Sequence, residues 1–409
     1  MQTKISEELV VIENGSIISP KGFRASGVHA GLRYAKNDLG VIISDTPASC
    51  AAVYTRSHFQ AAPLKVTQNS ISVENKLQAI IVNSACANAC TGNQGEIDAY
   101  AMRRLCANQF DIPEHLVAVA STGVIGELLN MSKIADGIKK LEPKASINAA
   151  EDFQTAILTT DLVMKTIGYE TEINGKVVTF GGAAKGSGMI HPNMATMLAF
   201  VTTDANIDSY DLQNAMSSAV DVTFNQITVD GETSTNDMVL VMASGEAGNE
   251  KLTPLHPDWE KFMLALKKTF VSLAKQIAKD GEGATKLIEV QVNGAASDTE
   301  ARIIAKKIVG SNLVKTAVYG TDANWGRIIG AIGHSSANVD PDNVDIYIGP
   351  ILMLKNSQPQ QFSEEEATAY LKNETITIGV NLHISNGKGT AWGCDLTYDY
   401  VKINASYRT

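Results

Sequence analysis

Cysteine is scarce in this sequence: five residues in 409 (Cys50, Cys86, Cys90, Cys106 and Cys394), odd in number and with no CxxC spacing. That excludes a disulfide framework and predicts free thiols in a reducing compartment. Cys86 and Cys90 stand four apart, as on one face of a helix, but buried structural thiols are the simpler reading. Long apolar runs are also missing. None approaches the roughly 18–20 residues of a membrane span. Positive charge is in deficit: 34 Lys and Arg against 44 Asp and Glu, a net charge of −10. The balance argues against nucleic acid or an anionic membrane as a partner. The first residues, Met1 to Glu8, carry acids and no apolar core of the signal-peptide kind, so a cytoplasmic setting is expected. No internal repeat or low-complexity segment appears. Neither HExxH, GxSxG nor a Walker A pattern occurs, and the seven histidines form no spaced pair. No metal and no cofactor is called for.

What is present is an ordinary globular composition, 44% hydrophobic and 19% charged, long enough for two or three core-bearing units. Apolar runs predict strands at 40–44, 51–54, 79–83, 116–120, 199–203, 238–243 and 287–292. Asn174-Gly175, between β-rich runs at 168–180, predicts a hairpin. A second hairpin is read around Asn386-Gly387, and the run 397–403 reads as strand-like. Helices are predicted at 96–109, with Ile97, Ala101 and Leu105 inward, and around Ile134, Ile138 and Leu141. Others are predicted at 209–223 with Asp208 as cap, at 259–278, at 299–309, and at 363–371 with a Ser-x-x-Glu capping box. Strands and helices alternate irregularly, which predicts an α/β fold with mixed sheets rather than a doubly wound parallel one.

The stretch from Gly181 to Phe200 stands apart. It opens small and flexible around Lys185, is stiffened by Pro192, and turns apolar after Ala195-Thr196. A threonine hydroxyl is a weak nucleophile without a base beside it. Cutting the chain before Thr196 would supply one, since the freed α-amine, with a pKa of roughly 7.7–8.0, lies next to the hydroxyl. Four further places carry possible chemistry. Ser121-Thr122-Gly123 ends a predicted strand in a turn that could aim N–H groups at an anion. Glu282 is flanked by Gly281 and Gly283, which would turn the chain and expose its carboxylate; a solvated loop acid is the competing reading. The polar loop 230–237 has no EF-hand spacing and reads as structural. His191 is five residues from Thr196 and reads as a loop residue.

The block Lys185-Gly186-Ser187-Gly188-Met189-Ile190-His191-Pro192-Asn193-Met194-Ala195-Thr196-Met197-Leu198 resembles the self-cleavage site of the ornithine acetyltransferase (glutamate N-acetyltransferase) family of arginine biosynthesis. The likeness recurs at 19–29, at 121–126 and at 318–327. Two blocks depart from the family pattern: Ala85 and Cys86 stand for its Gly and Asn, and Glu232 for its Asp. The resemblance implies a layered α/β/β/α sandwich shared with self-cleaving aminopeptidases of the DmpA type. It implies a cut between Ala195 and Thr196, giving an α chain, 1–195, and a β chain, 196–409, assembled as an α2β2 heterotetramer. Thr196 would carry the acetyl group, with Thr122 and Gly123 as the oxyanion hole. Thr159, Lys185, Thr196, Glu282, Asn404 and Thr409 would surround the substrate. The implied reaction moves acetyl from N-acetylornithine to glutamate, with acetyl-CoA as a second donor left open. The alternative on the same scaffold is an amidase or aminopeptidase that passes the acyl group to water.

Overall fold

β-rich runs on either side of Asn174-Gly175 make the hairpin from which the first sheet grows. A computed structural model describes residues 9–191 and 197–406. In chain order, β1 (Leu9–Val11), β2 (Phe23–Val28) and a long β3 (Leu39–Tyr54) precede α1 (Ala62–Glu74). Then come β4 (Lys76–Asn83), α2 (Gly92–Phe110), β5 (Val117–Ser121), α3 (Met131–Ile138) and α4 (Ile147–Ile157). The hairpin β6 (Lys165–Ile173) and β7 (Lys176–Lys185) leads to β8 (Leu198–Thr203), α5 (Ser209–Asp221), β9 (Ile227–Thr228), β10 (Met238–Ala243) and α6 (Trp259–Lys279). The rest comprises β11 (Leu287–Ala295), α7 (Asp298–Val309), α8 (Asn312–Tyr319), α9 (Trp325–Gly333), β12 (Asp345–Ile348), β13 (Ile351–Lys355) and β14 (Gln358–Pro359). It ends in α10 (Glu364–Leu371), β15 (Thr375–Asn381), β16 (Gly387–Cys394) and α11 (Tyr398–Ser406).

These strands form two mixed sheets, the α/β architecture expected. The first runs β1-β6-β7-β8-β10-β3-β4-β5, with β2 also on β3; the second runs β14-β13-β12-β15-β11-β16-β9. β8 and β10 are parallel, as are β4 and β5, while β7 and β8 are antiparallel. Two predicted strands, 40–44 and 51–54, are one strand, β3, which bends at a register shift between Ile43 and Ala48. The short strand β9 stands in chain order between β8 and β10 of the first sheet but pairs with β16 of the second. It brings the loop that follows it, 229–237, to the meeting place of the two sheets.

Helix α6 ties the sheets together. Phe262, Leu266, Phe270, Leu273 and Ile277 recur every three or four residues and are all fully buried. Each such side chain contributes about 1.5–3 kcal/mol of burial. Phe262 meets Phe180 of β7 and Phe270 meets Phe224, with ring centroids 5.4 and 5.2 Å apart. The helix therefore ends, at Asp280, against the end of the β6–β7 hairpin. Asp208 caps α5 and Ser363 caps α10, each accepting a bond from the N–H three residues on.

Three expectations are corrected. The buried face of α2 carries Gly95, Asp98, Ala99, Met102 and Cys106, whereas Ile97 is exposed and Ala101 and Leu105 only half-buried. The helix starts earlier than read and sits one residue round, so that small side chains meet the sheet. β15 and β16 are no hairpin: β15 pairs parallel and β16 antiparallel with β11, which lies between them. β11, with Leu287, Ile288, Val290 and Val292 buried, needs a neighbour on each edge. The third concerns the tail, which is the helix α11 and not a strand. Cys86 and Cys90 lie in the loop before α2, and Cys90 is exposed, unlike the other four thiols.

Candidate active site

The last residue of β7, Lys185, is paired in register with Leu198, the first of β8. Between them the chain leaves the sheet. Residues 192–196 of that excursion, with Ala195 and Thr196, lie outside the described residues, as does Thr409. The flanks Ile190 and Met197 line one cavity of about 150 Å³. The same cavity is lined by Thr122, Gly123, Thr159, Lys185, Glu282 and Asn404. Every described residue assigned to the site from sequence thus converges on one place, although the residues span 122 to 404.

A buried ion network holds the lysine end. Asp161 accepts bonds from the N–H of Thr159 at 2.9 Å, the N–H of Gly186 at 2.7 Å and Lys165 Nζ at 2.7 Å. Lys165 is fully buried and also donates to Asp280 at 2.5 Å. Asp280 in turn accepts from the N–H of Leu162 at 3.1 Å. Burial alone would raise the Asp161 carboxyl. The ammonium groups of Lys185 and Lys165 and the Gly186 N–H outweigh it and hold Asp161 well below the usual carboxylate range. Burial draws Lys185 below the ordinary lysine value, with Asp161 opposing. The network fixes Gly186, where the excursion begins, to the end of α6.

The turn after β5 presents two donors. The Thr122 N–H is already used, donating to the Asn83 carbonyl at 2.9 Å. Its hydroxyl is therefore the group that reaches the cavity. Lys185 Nζ donates to Thr122 Oγ1 at 3.4 Å, which turns the hydroxyl proton away from the lysine. Gly123 has φ +124°, and a Cβ there would fall 2.2 Å from the Ala85 carbonyl oxygen. Only glycine fits. Its N–H has no partner among the described residues. The loop before α2 braces this turn through its backbone, Ala85 O accepting from Val124 N at 3.1 Å and Asn83 Nδ2 donating to Cys86 O at 3.0 Å. The family's departures at Ala85 and Cys86 leave those contacts in place, because none needs their side chains.

Glu282 forms the opposite wall. It was expected to be exposed; it is 8% exposed and turned into the cavity. The chain folds over it: its N–H donates to Ser187 O at 3.0 Å, and Gly188 passes so close that a Cβ would lie 2.4 Å from the Glu282 carboxyl carbon. Asn404, on α11, donates from Nδ2 to Glu282 Oε2 at 2.9 Å. α11 buries no residue fully and rests on that bond, on Thr397 Oγ1 donating to Gly283 O at 2.6 Å, and on Tyr398 edge-on to Tyr319.

Some lining residues were not foreseen. The loop 230–237, read as structural, supplies Asp230, Glu232, Ser234, Asn236 and Asp237 to the wall. It is structural as well: Asp230 accepts from the N–H groups of Met189 and Ile190 at 2.7 and 2.9 Å, pinning the excursion. Asp237 is buried, its Oδ2 has no hydrogen-bond partner among the described residues, and burial pushes its carboxyl well above the usual range. The density of acids and amides in 230–237 was the available signal. Tyr400 also lines the cavity; burial first, then Asp230 and Glu282, push its phenol up to about 12. His191 faces away and bonds Thr228 Oγ1 at 2.9 Å, in keeping with a loop role. Among the described residues no group of three or more His, Cys, Asp or Glu could hold a metal, and no helix is long and apolar enough to cross a membrane.

A two-sheet α/β body with a polar cleft, gathering hydroxyl, ammonium and carboxylate groups from distant parts of the chain, is built as a small-molecule enzyme. The comparisons carry this further: the ArgJ family model matches residues 24–409, and the chain belongs to that family. It is 71% identical over 407 residues to the arginine biosynthesis bifunctional protein ArgJ of Geobacillus kaustophilus, covering 100% of this chain and 99% of that one. The Bacillus subtilis protein of the same name is 64% identical over 406 residues, covering 99% and 100%. A crystal structure of arginine biosynthesis bifunctional protein argJ from Bacillus halodurans is 67% identical with TM-score 0.50, covering 51% of this chain and 98% of that chain.

Proposed function

We propose that this arginine-biosynthesis acyltransferase moves an acetyl group from N-acetylornithine to glutamate through an acetyl ester on Thr196. The observation that carries the reading is the convergence of Thr122, Gly123, Thr159, Lys185, Glu282 and Asn404 on the cavity where the Thr196-bearing segment starts and ends. The precursor is cut between Ala195 and Thr196 into chains 1–195 and 196–409. The freed amine of Thr196 takes the proton of its hydroxyl, and the oxygen attacks the acetyl carbonyl. The Thr122 hydroxyl and the Gly123 N–H hold the oxyanion, donors of the kind that stabilise such intermediates by roughly 2.7–4 kcal/mol each. Ornithine leaves with the proton, and the glutamate amine attacks the acetyl ester in the reverse sense. Lys185 suits a substrate carboxylate and Glu282 a substrate ammonium. The Bacillus halodurans chain, matched over half of this one, has the length such a cut would leave, which supports the processing.

We place the mature enzyme in the cytoplasm as an α2β2 assembly, with Thr409 returning to the substrate. Incubating purified protein with N-acetylornithine, with and without glutamate, tests the reaction. Glutamate-dependent ornithine release is expected. Acetate release that ignores glutamate would make the protein a hydrolase. Adding acetyl-CoA and glutamate alone tests the second donor.

A further inference from the structure

Asp237 closes the polar loop 230–237, immediately before β10. Met238, the next residue, pairs with Leu198 at the start of β8, and its N–H donates to Met197 O at 2.9 Å. Asp237 therefore stands beside Met197, and both line the active-site cavity. The chain around it is firmly held. Asp237 O accepts from the Thr55 N–H at 3.1 Å, and Ser234 Oγ donates to Asn236 Oδ1 at 2.8 Å. Asn236 Nδ2 donates to Ser121 O at 2.8 Å, which ties the loop to the residue before Thr122. Asp237 is 2% exposed, and its Oδ2 has no hydrogen-bond partner among the described residues. Leaving a buried carboxyl oxygen unpaired is costly, and at a cavity wall an occupant can supply the missing partner.

Among the described residues the charged group that faces this carboxyl is Lys185 on β7, and Ser234 presents its hydroxyl and N–H to it. Asp230, Glu232, Glu282 and Tyr400 line the rest of the polar wall. Burial, with Lys185 and Ser234 opposing, holds Asp237 above the usual carboxylate range. The group is a carboxylic acid with a proton to give, and the carboxylate it becomes is answered by Lys185.

The proposed transfer has a proton to place. The Thr196 amine moves one proton, from its hydroxyl to the leaving nitrogen, which releases ornithine as a neutral α-amine. That amine can attack the ester it has just left until a further proton is supplied. Glutamate, in turn, arrives with its α-nitrogen as an ammonium near neutral pH and must shed a proton before it can attack. The two half-reactions need one group that gives a proton in the first and takes it back in the second.

We infer, on the basis of that proposed reaction, that Asp237 is this group: a catalytic acid–base whose Oδ2 protonates the departing amine and deprotonates the entering ammonium. In the first half the Oδ2–H bond breaks and the amine's lone pair takes the proton, leaving a carboxylate opposite Lys185. In the second half the carboxylate takes a proton from the glutamate α-ammonium, and the freed lone pair attacks the acetyl ester. The Thr196 amine carries the remaining excess proton to the threonine oxygen as the ester bond breaks. No proton is gained or lost over the cycle.

Asp237→Asn tests this, because it keeps the size and a hydrogen-bond donor and cannot carry the proton. Wild type and variant are compared with two donors, N-acetylornithine and para-nitrophenyl acetate, whose phenolate leaves without a proton. In the variant kcat for transfer from N-acetylornithine to glutamate should fall at least about tenfold, toward the roughly 10²–10⁴ that acid–base groups contribute. The acylation burst with the ester should keep its size and rate, and the melting temperature should not move. A fall of less than tenfold with the amide, or loss of the ester burst alongside it, overturns the assignment, since the group would then be dispensable or would act on the nucleophile or the fold. The wild-type control reads the proposed reaction separately: an ester burst without glutamate-dependent ornithine release refutes the transfer itself, and this role with it.

Discussion

Replacing Thr122 by valine removes one hydroxyl and keeps the shape of the side chain. Thr122 is 5% exposed, and its backbone N–H stays bonded to Asn83 O at 2.9 Å, so the turn that presents Gly123 should survive. The folding cost is the lost contact with Lys185 Nζ, which at 3.4 Å is long, so about 1 kcal/mol is an upper expectation. The catalytic cost is larger. If the hydroxyl holds the oxyanion, its loss removes roughly 2.7–4 kcal/mol from the transition state, a fall of about 10²–10³ in kcat. The two figures are separable: a thermal melt reads the first, and steady-state kinetics with N-acetylornithine and glutamate the second. Thr122→Ser, which restores the donor, should recover most of kcat. A valine variant that melts like the wild type and keeps kcat within about threefold would refute the oxyanion role, since it bounds the contribution below ~0.7 kcal/mol.

Thr196→Ala should run as a single uncut chain on a denaturing gel and show no transfer; full activity in uncut wild-type protein would remove the amine from the mechanism. Lys165→Met should destabilise the fold by about 3–5 kcal/mol, read by chemical denaturation, because it leaves Asp161 and Asp280 buried without their shared cation. Asp161, depressed in the fold, contributes stability that is present above its unfolded pKa near ~3.9 and is lost as pH falls below it, so the wild type should lose more on acidification than the variant. Asn404→Ala should raise KM for both amino-acid substrates several-fold with little change in kcat or melting temperature. An unchanged KM would make the Asn404–Glu282 bond a purely structural contact.

Periodicity made the core elements legible. α6 could be placed because five large apolar residues mark one face, and the β6–β7 hairpin because Asn174 and Gly175 both adopt positive φ, as the turn requires. The misreadings share a cause. α2 carries its inward face on Gly95, Asp98, Ala99 and Cys106 beside a single long residue, Met102, and periodicity weighs such small residues lightly against an exposed Ile97. Asn386-Gly387 has the chemistry of a hairpin turn, but pairing is settled by β11, nearly a hundred residues upstream and needing a neighbour on each edge. The tail residues Tyr398, Tyr400 and Val401 have strand propensity, which the helix α11 overrides. The family's site residues were legible by likeness alone. The Lys165 network and the unpaired Asp237 oxygen depend on contacts between residues over a hundred or over fifty positions apart, which no local pattern carries.

The cavity's charges bear on how one site would accept ornithine and glutamate, whose side chains have opposite signs. Lys185 is deeply buried, but its charge is shared: Asp161 faces it and answers Lys165 as well. Glu282 is met by an amide, Asn404, and no cation bridges it among the described residues. A carboxylate satisfied by a neutral donor keeps its charge available for an incoming ammonium. A fixed ion pair across the cavity would have had to be broken by every substrate, at the several kcal/mol that separating buried charges costs. The pocket instead ties each of these charges to its own partner, Lys185 to buried Asp161 and Glu282 to the neutral Asn404. The α-carboxylate common to both substrates can then be held at one fixed point, while the α-nitrogen, acetylated in N-acetylornithine and an uncharged nucleophile in glutamate, needs no counter-ion; the differing side chains are left to the side beneath α11. That division predicts discrimination by length and end group on the α11 side, where Asn404, Tyr400 and the Glu282 carboxylate stand.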